Sequence, residues 1–213
     1  MAVKNILCFG DSNTYGLNIA ANPKRFDRRW TRELQNQLGR DYYVIEDGLC
    51  GRTAACSSAQ DSLFCGCETI FCNVRKHLPL DMVIIFLGTN DLKKNMRITM
   101  KDAIDGLEKC VEQVRLCANA NNFPVPKVML VAPTPLNKNI FKNQFGDMFD
   151  GENAIAISKE MAKYIKILAD SLDCIYLDAA EYVNGGTVDG LHFDEDEHIK
   201  FAELLAKKLR EIL

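Results

Sequence analysis

The chain has 213 residues, 47% of them hydrophobic, and a formal net charge of −3. That is enough apolar material for one well-buried domain spanning 1–213, and nothing in it calls for two. No Lys/Arg cluster is dense enough to grip a phosphate backbone, so no nucleic-acid partner is expected, and no stretch approaches the ~18 apolar residues of a membrane span.

The N-terminal residues Met1 to Asn5 lack a basic region followed by a long apolar core, which points to a soluble, cytoplasmic protein. In that compartment nine cysteines read as reduced thiols. Val3, Ile6, Leu7, Cys8 and Phe9 form a short apolar strand pattern that stops at Gly10-Asp11-Ser12. Arg28 to Leu38 carries Trp30, Leu34 and Leu38 four apart and ends at Gly39, an amphipathic helix with a glycine stop. Tyr42 to Glu46 is the second strand, closed by Asp47-Gly48 and followed by the loop Leu49 to Thr53. From Ala54 to Leu78 periodicity is poor, and a loop with a helix of open limits is expected. Cys56, Cys65, Cys67 and Cys72 fall in or near that loop. They lack a C-x2-C pair and the two-by-two ligand spacing of a zinc site, so free thiols and no metal are expected.

Met82 to Leu87 is continuously apolar, as suits a central parallel strand covered on both faces. It ends in Gly88-Thr89-Asn90-Asp91. A three-four spacing of Ile104, Leu107, Val111 and Val114 predicts a helix from Lys101 to Asn119, with Cys110 and Cys117 on its core side. Lys127 to Ala132 is the fourth strand. The irregular segment Leu136 to Gly151 holds Phe141, Phe145, Met148 and Phe149, residues suited equally to core packing and to the wall of an acyl pocket. A helix over Ala154 to Leu172, a strand over Cys174 to Leu177 and a last helix from Asp194 to Ile212 complete the chain. Asp194 and Glu197 fit a capping box at the start of that helix.

Five strands alternating with helices predict a three-layer α/β/α arrangement, a flavodoxin-like parallel sheet. Every loop that follows a strand then opens on one edge. Ser12, Gly51, Asn90, Asp189 and His192 all lie in such loops, so distant pieces of sequence converge. A serine hydroxyl needs a base. Of the three histidines, His77 lies at the opposite edge, His198 lies inside the last helix, and His192 remains. An imidazole that acts as a base needs a partner to fix its tautomer. Asp189, three residues earlier across Gly190, is favoured over Asp178 at the end of strand five. The backbone N–H groups of Ser12 and Gly51 and the amide of Asn90 are the natural donors for an oxyanion.

These segments carry a resemblance. Gly10-Asp11-Ser12, Gly51, Gly88-Thr89-Asn90-Asp91 and Asp189-Gly190-Leu191-His192 resemble, in order and rough spacing, the four sequence blocks of the SGNH (GDSL-type) hydrolases. Arg29-Trp30, the Gly48 to Thr53 loop and His77-Leu78-Pro79-Leu80-Asp81 are similar to the small arylesterase/acyltransferase branch. The resemblance implies the SGNH hydrolase fold and a serine esterase without a cofactor. It implies Ser12 as nucleophile, His192 as base and Asp189 as its partner, with Ser12, Gly51 and Asn90 as oxyanion hole. A short pocket and an intracellular location favour small acyl, acetyl-type esters as substrates, with transfer to alcohols also open, and the resemblance to the arylesterase branch implies self-association. Asn13 departs from the leucine of the family motif, a change read here as bearing on substrate preference.

Other readings follow from single motifs. Ser12 alone is an ordinary helix cap, Asp189-Gly190 an ordinary turn, and Arg52 and Thr53 braces for their loop; Trp30 fits helix packing better than substrate contact. A carbohydrate O-acetyl esterase, a thioesterase and a lysophospholipase share the expected fold. A phosphate- or nucleotide-binding module would use Gly10 to Gly16 but leave Asp189 and His192 unexplained, and no P-loop lysine follows. A catalytically dead scaffold would leave the whole set unexplained. An α/β-hydrolase is disfavoured because no G-x-S-x-G elbow surrounds the serine.

Overall fold

The computed structural model describes residues 3–21 and 24–213; Met1 and Ala2, part of the start read above for a leader, lie outside the described residues. The strands β1 (Lys4–Gly10), β2 (Tyr42–Gly48), β3 (Met82–Phe86), β4 (Lys127–Ala132) and β5 (Ile175–Asp178) form one parallel sheet in the order β2-β1-β3-β4-β5. This is the expected three-layer fold. The order reverses between β1 and β3, and the crevice beyond their carboxyl ends is where open α/β sheets bind ligands.

Helices cover both faces: α1 (Ser12–Tyr15), α2 (Trp30–Leu38), α3 (Gly66–His77), α4 (Met100–Ala120), α5 (Gly151–Ser171) and α6 (Glu195–Ile212). Alternation along the strands splits the core in two. Met82, Ile84 and Phe86 of β3, with Ile6 and Cys8 of β1, pack against Trp30 and Leu34 of α2 and Phe201 and Leu205 of α6. Val83 and Ile85, with Leu7 and Phe9, face Ile70, Val111, Val114 and Ile165 of α3, α4 and α5. A strand buried on both faces must be apolar at every position, which is why β3 reads as an unbroken run.

Three expectations are corrected. First, α5 begins at Gly151, ahead of Ala154, because Ala154 and Ile155 bury against Leu136, Ile140 and Phe149 and draw the helix start into that small cluster. Second, Glu197 does not complete a capping box. Asp194 accepts the Glu197 N–H, but the Glu197 carboxylate turns away to the Asn184 N–H at 2.8 Å and Lys200 at 2.7 Å. Third, Cys56 and Cys65 are joined in a disulfide rather than being reduced thiols. The Thr53 N–H bonds to Phe64 O and the Gly66 N–H to Thr53 O, so the chain doubles back and brings the two Cα atoms to 5.0 Å. Cys8, Cys50, Cys67, Cys72, Cys110, Cys117 and Cys174 are free, and Cys110 and Cys117 are buried in the core as expected.

Candidate active site

Gly10 ends β1 in register with Gly48 of β2 and Phe86 of β3. The chain then turns at once into α1, with Asp11 as its cap accepting the Asn13 N–H at 2.9 Å. Ser12 is therefore the first residue of a four-residue helix rather than part of a loop.

The His192 loop meets it from the far end of the sequence. Ser12 Oγ lies 2.9 Å from His192 Nε2, and His192 Nδ1 lies 2.6 Å from Asp189 Oδ2. An ionised carboxylate can only accept, so Nδ1 carries the proton and Nε2 is left to accept from the serine hydroxyl. Burial alone would raise the Asp189 carboxyl. The hydrogen bond and charge of His192, helped by the N–H groups of His192 and Leu191, outweigh it and hold the carboxyl below its ordinary value. Gly190 makes the turn between them. Its φ is +82°, and a Cβ there would sit 2.2 Å from Ile140 N. Asn143 donates to Asp189 O at 2.8 Å, and the Phe145 ring stands edge-on to His192 at 5.2 Å. The irregular segment thus divides: Phe149 is core, Phe145 walls the imidazole, and Phe141 and Met148 are exposed.

Asn13 has a structural tie that the sequence reading did not include. Its Oδ1 accepts the Phe193 N–H at 2.9 Å, and it is 3% exposed. It ties the serine turn to the residue after His192, so its part is positional. No periodicity or spacing signals such a bond; only the departure from the leucine of the motif marked the position.

Gly51 and Asn90 arrive at the same edge. Gly51 has φ +88°, and a Cβ would find room, with Phe64 no nearer than 3.8 Å. Glycine is needed there for its left-handed backbone, not for close approach. The Asn90 amide donates to Asp11 Oδ2 at 3.2 Å and to Arg52 O at 3.1 Å, touching the neighbours of both Ser12 and Gly51. Among the described residues, the N–H groups of Ser12 and Gly51 donate to no protein acceptor. Burial raises the Asp11 carboxyl against the Asn13 N–H and the charges of His192, Lys93 and Arg52. Asp91 is pushed up to about 7 by burial, which outweighs the N–H groups of Ala55 and Ala54 that it accepts at 2.9 Å. Arg52, as read, is a brace: it donates to Gly10 O and to Asp47, and lies over the Phe9 ring at 3.9 Å.

The remaining candidates fall away from the site. His77 ends α3, ahead of β3. Asp178 caps a short turn through the Ala180 N–H. Trp30 is fully buried against Phe86 and Phe201. His198 is buried in α6, where its Nδ1 accepts the Trp30 N–H at 3.4 Å. Burial lowers His198 to about 3. Beside His192 opens a cleft of about 460 Å³ with Leu17, Ile19, Phe26 and Val188 on its walls and Asp194 and Glu195 at its edge.

Its family and its solved neighbours make this chain a carboxylic ester hydrolase. The chain belongs to the GDSL-like lipase/acylhydrolase family, whose model matches residues 8–199. It is similar to the solved aryl esterase of M. smegmatis, at 36% identity over 99% of this chain and 100% of that one, with a TM-score of 0.91. It is also similar to Est24, a carbohydrate acetylesterase from Sinorhizobium meliloti, at 33% identity over 99% and 100% of the two chains, TM-score 0.89. A carbohydrate acetylesterase family member from the same organism aligns at 31% identity over 99% of each chain, TM-score 0.86. No curated protein sequence matches significantly. Among the described residues no helix is long and apolar enough to cross a membrane.

Proposed function

We propose that the protein hydrolyses small acetyl-type esters with Ser12 as nucleophile, His192 as general base and Asp189 as the group that orients the imidazole. The observation that carries this is the unbroken Asp189–His192–Ser12 hydrogen-bond chain at the switch point of the sheet. Ser12 Oγ attacks the acyl carbonyl as its proton passes to His192 Nε2. His192 then gives that proton to the leaving alcohol, and an acyl-Ser12 ester remains. Water, or an acceptor alcohol, repeats the steps in reverse roles and frees Ser12. The N–H groups of Ser12 and Gly51 and the Asn90 amide serve the tetrahedral oxyanion, at ~3 kcal/mol per donor in the transition state. The Asn90 amide exchanges its long bond to Asp11 for the oxyanion.

The solved relatives are named as an aryl esterase and a carbohydrate acetylesterase, names that differ in the alcohol part of the ester. The cleft beside His192 is where that alcohol would sit. Its apolar walls suit an aryl or sugar-ring face, and its acidic edge disfavours anionic alcohols. The test is a p-nitrophenyl ester series from acetyl to dodecanoyl, with fluorophosphonate labelling. Turnover falling with chain length, and loss of both turnover and label in Ser12→Ala, is the expected result. Retained label in Ser12→Ala overturns the nucleophile, and a preference for long chains overturns the acyl class.

A further inference from the structure

The disulfide has a third sulfur beside it. Cys67 Sγ lies 3.6 Å from Cys56 Sγ and 3.5 Å from Cys65 Sγ. The thiol thus sits side-on to the S–S bond, not in line with it, which is the wrong approach for thiol–disulfide exchange, where the attacking sulfur must face the leaving one. It is a good approach for something else. Around a tetrahedral zinc with Zn–S of ~2.3 Å, neighbouring sulfurs lie about 3.8 Å apart. Two of the three sides of the triangle are already close to that length. Only the Cys56–Cys65 side must open, and reduction opens it.

We propose that, with the disulfide reduced, Cys56, Cys65 and Cys67 form a three-thiolate site for zinc or a similarly soft divalent cation, so that this corner of the protein alternates between a cross-link and a metal. Two of the three sulfurs sit at a helix start. Cys65 is the N-cap of α3 and Cys67 lies in its first turn, where the helix dipole supports negative charge. Lys109, paired with Glu68 at 2.6 Å, stands in the same cleft as a nearby positive charge. Cys56 is the exposed member, and it lines with Cys67 a cleft of about 540 Å³ that gives the ion a way in. A water from that cleft takes the fourth position.

The chemistry balances in two steps. A dithiol reductant supplies two electrons and two protons, the Cys56–Cys65 bond breaks, and the reductant closes its own disulfide. The three thiols then release three protons as one divalent cation binds. Two hydrogen bonds link the site to the segment that carries Asn90. Cys67 N–H bonds to Ala54 O at 3.1 Å, and the Ala54 N–H bonds to Asp91, next to Asn90. The proposal stands apart from the esterase reading, because its readout is metal content.

The experiment reduces the protein with dithiothreitol, removes the reductant without oxygen, and adds zinc against a chromophoric chelator, with cobalt as a spectroscopic substitute. One zinc held per chain, a thiolate-to-cobalt charge-transfer band and a higher Tm than the metal-free reduced protein are expected. The oxidised protein should hold none. Cys67→Ser should lose the metal while still forming the Cys56–Cys65 cross-link by mass spectrometry, which shows that it folds. Cys56→Ser, at the exposed position, should lose it too, and Cys72→Ser should keep it. Reduced protein that holds no zinc, or zinc retained in Cys67→Ser, overturns the proposal.

Discussion

Asn13→Ala removes the acceptor that the Phe193 N–H uses at the centre of the site. The Phe193 N–H that it leaves behind is buried, with Phe193 1% exposed, so the bond cannot be replaced by water without opening the loop. A stranded buried amide costs ~1–3 kcal/mol. At about 2–4 °C per kcal/mol for a chain of this size, Tm should fall by roughly 2–12 °C. If the cost falls on docking of the His192 loop against α1, the docking constant drops between about 5-fold and about 160-fold. The second-order rate of fluorophosphonate labelling at Ser12 reads the docked population directly, because an undocked imidazole cannot take the serine proton. Asn13→Leu, which fills the space without an acceptor, should show the same loss. An Asn13→Ala protein that labels at the wild-type rate with unchanged Tm refutes the positional role.

Asp189→Asn should lower kcat by about 10⁴-fold with p-nitrophenyl acetate by presenting the wrong imidazole tautomer, whereas Asp178→Asn should leave kcat within twofold; the reverse pattern overturns the pairing at 2.6 Å. Gly190→Ala places a side chain at φ +82° against Ile140 and should destabilise urea unfolding by at least ~2 kcal/mol. His198 sets an acid limit. Its folded value of about 3 lies below its ordinary 6.5, so its contribution is whole above pH 6.5 and is lost as pH falls towards 3. That loss is about 2 kcal/mol at pH 5 and about 3 kcal/mol at pH 4. The mechanism is local: Nδ1 already faces the Trp30 N–H, so a second proton meets a donor. His198→Phe should flatten this part of the pH dependence of urea unfolding, and equal slopes in the two proteins would refute it.

Sequence revealed most where chemistry or burial leaves one choice. β3 could be read because a strand covered on both faces has no polar position to spare. Ser12, His192 and Asp189 could be paired because a weak nucleophile needs a base and the base needs an acid, and histidines are few. Bonds that depend on where two backbones happen to meet were hidden. The Cys56–Cys65 bridge comes from the Thr53–Phe64 turn, and a compartment argument from composition says nothing about that turn. Glu197 satisfied a capping pattern on its own helix, yet a stray N–H at Asn184 captured it. Asn13 looked like a tuning position because its partner lies 180 residues away.

That same distance governs when the enzyme can first act. The ribosome adds ~5–20 residues each second, so the hydroxyl at position 12 emerges roughly 10–40 s before the imidazole 180 residues later. During that interval the nascent chain carries an inert alcohol, since nothing yet draws off its proton. On the proposed mechanism, catalytic power therefore arrives in a single late event, when α6 closes over β1, and a prematurely terminated product is harmless to the esters around it.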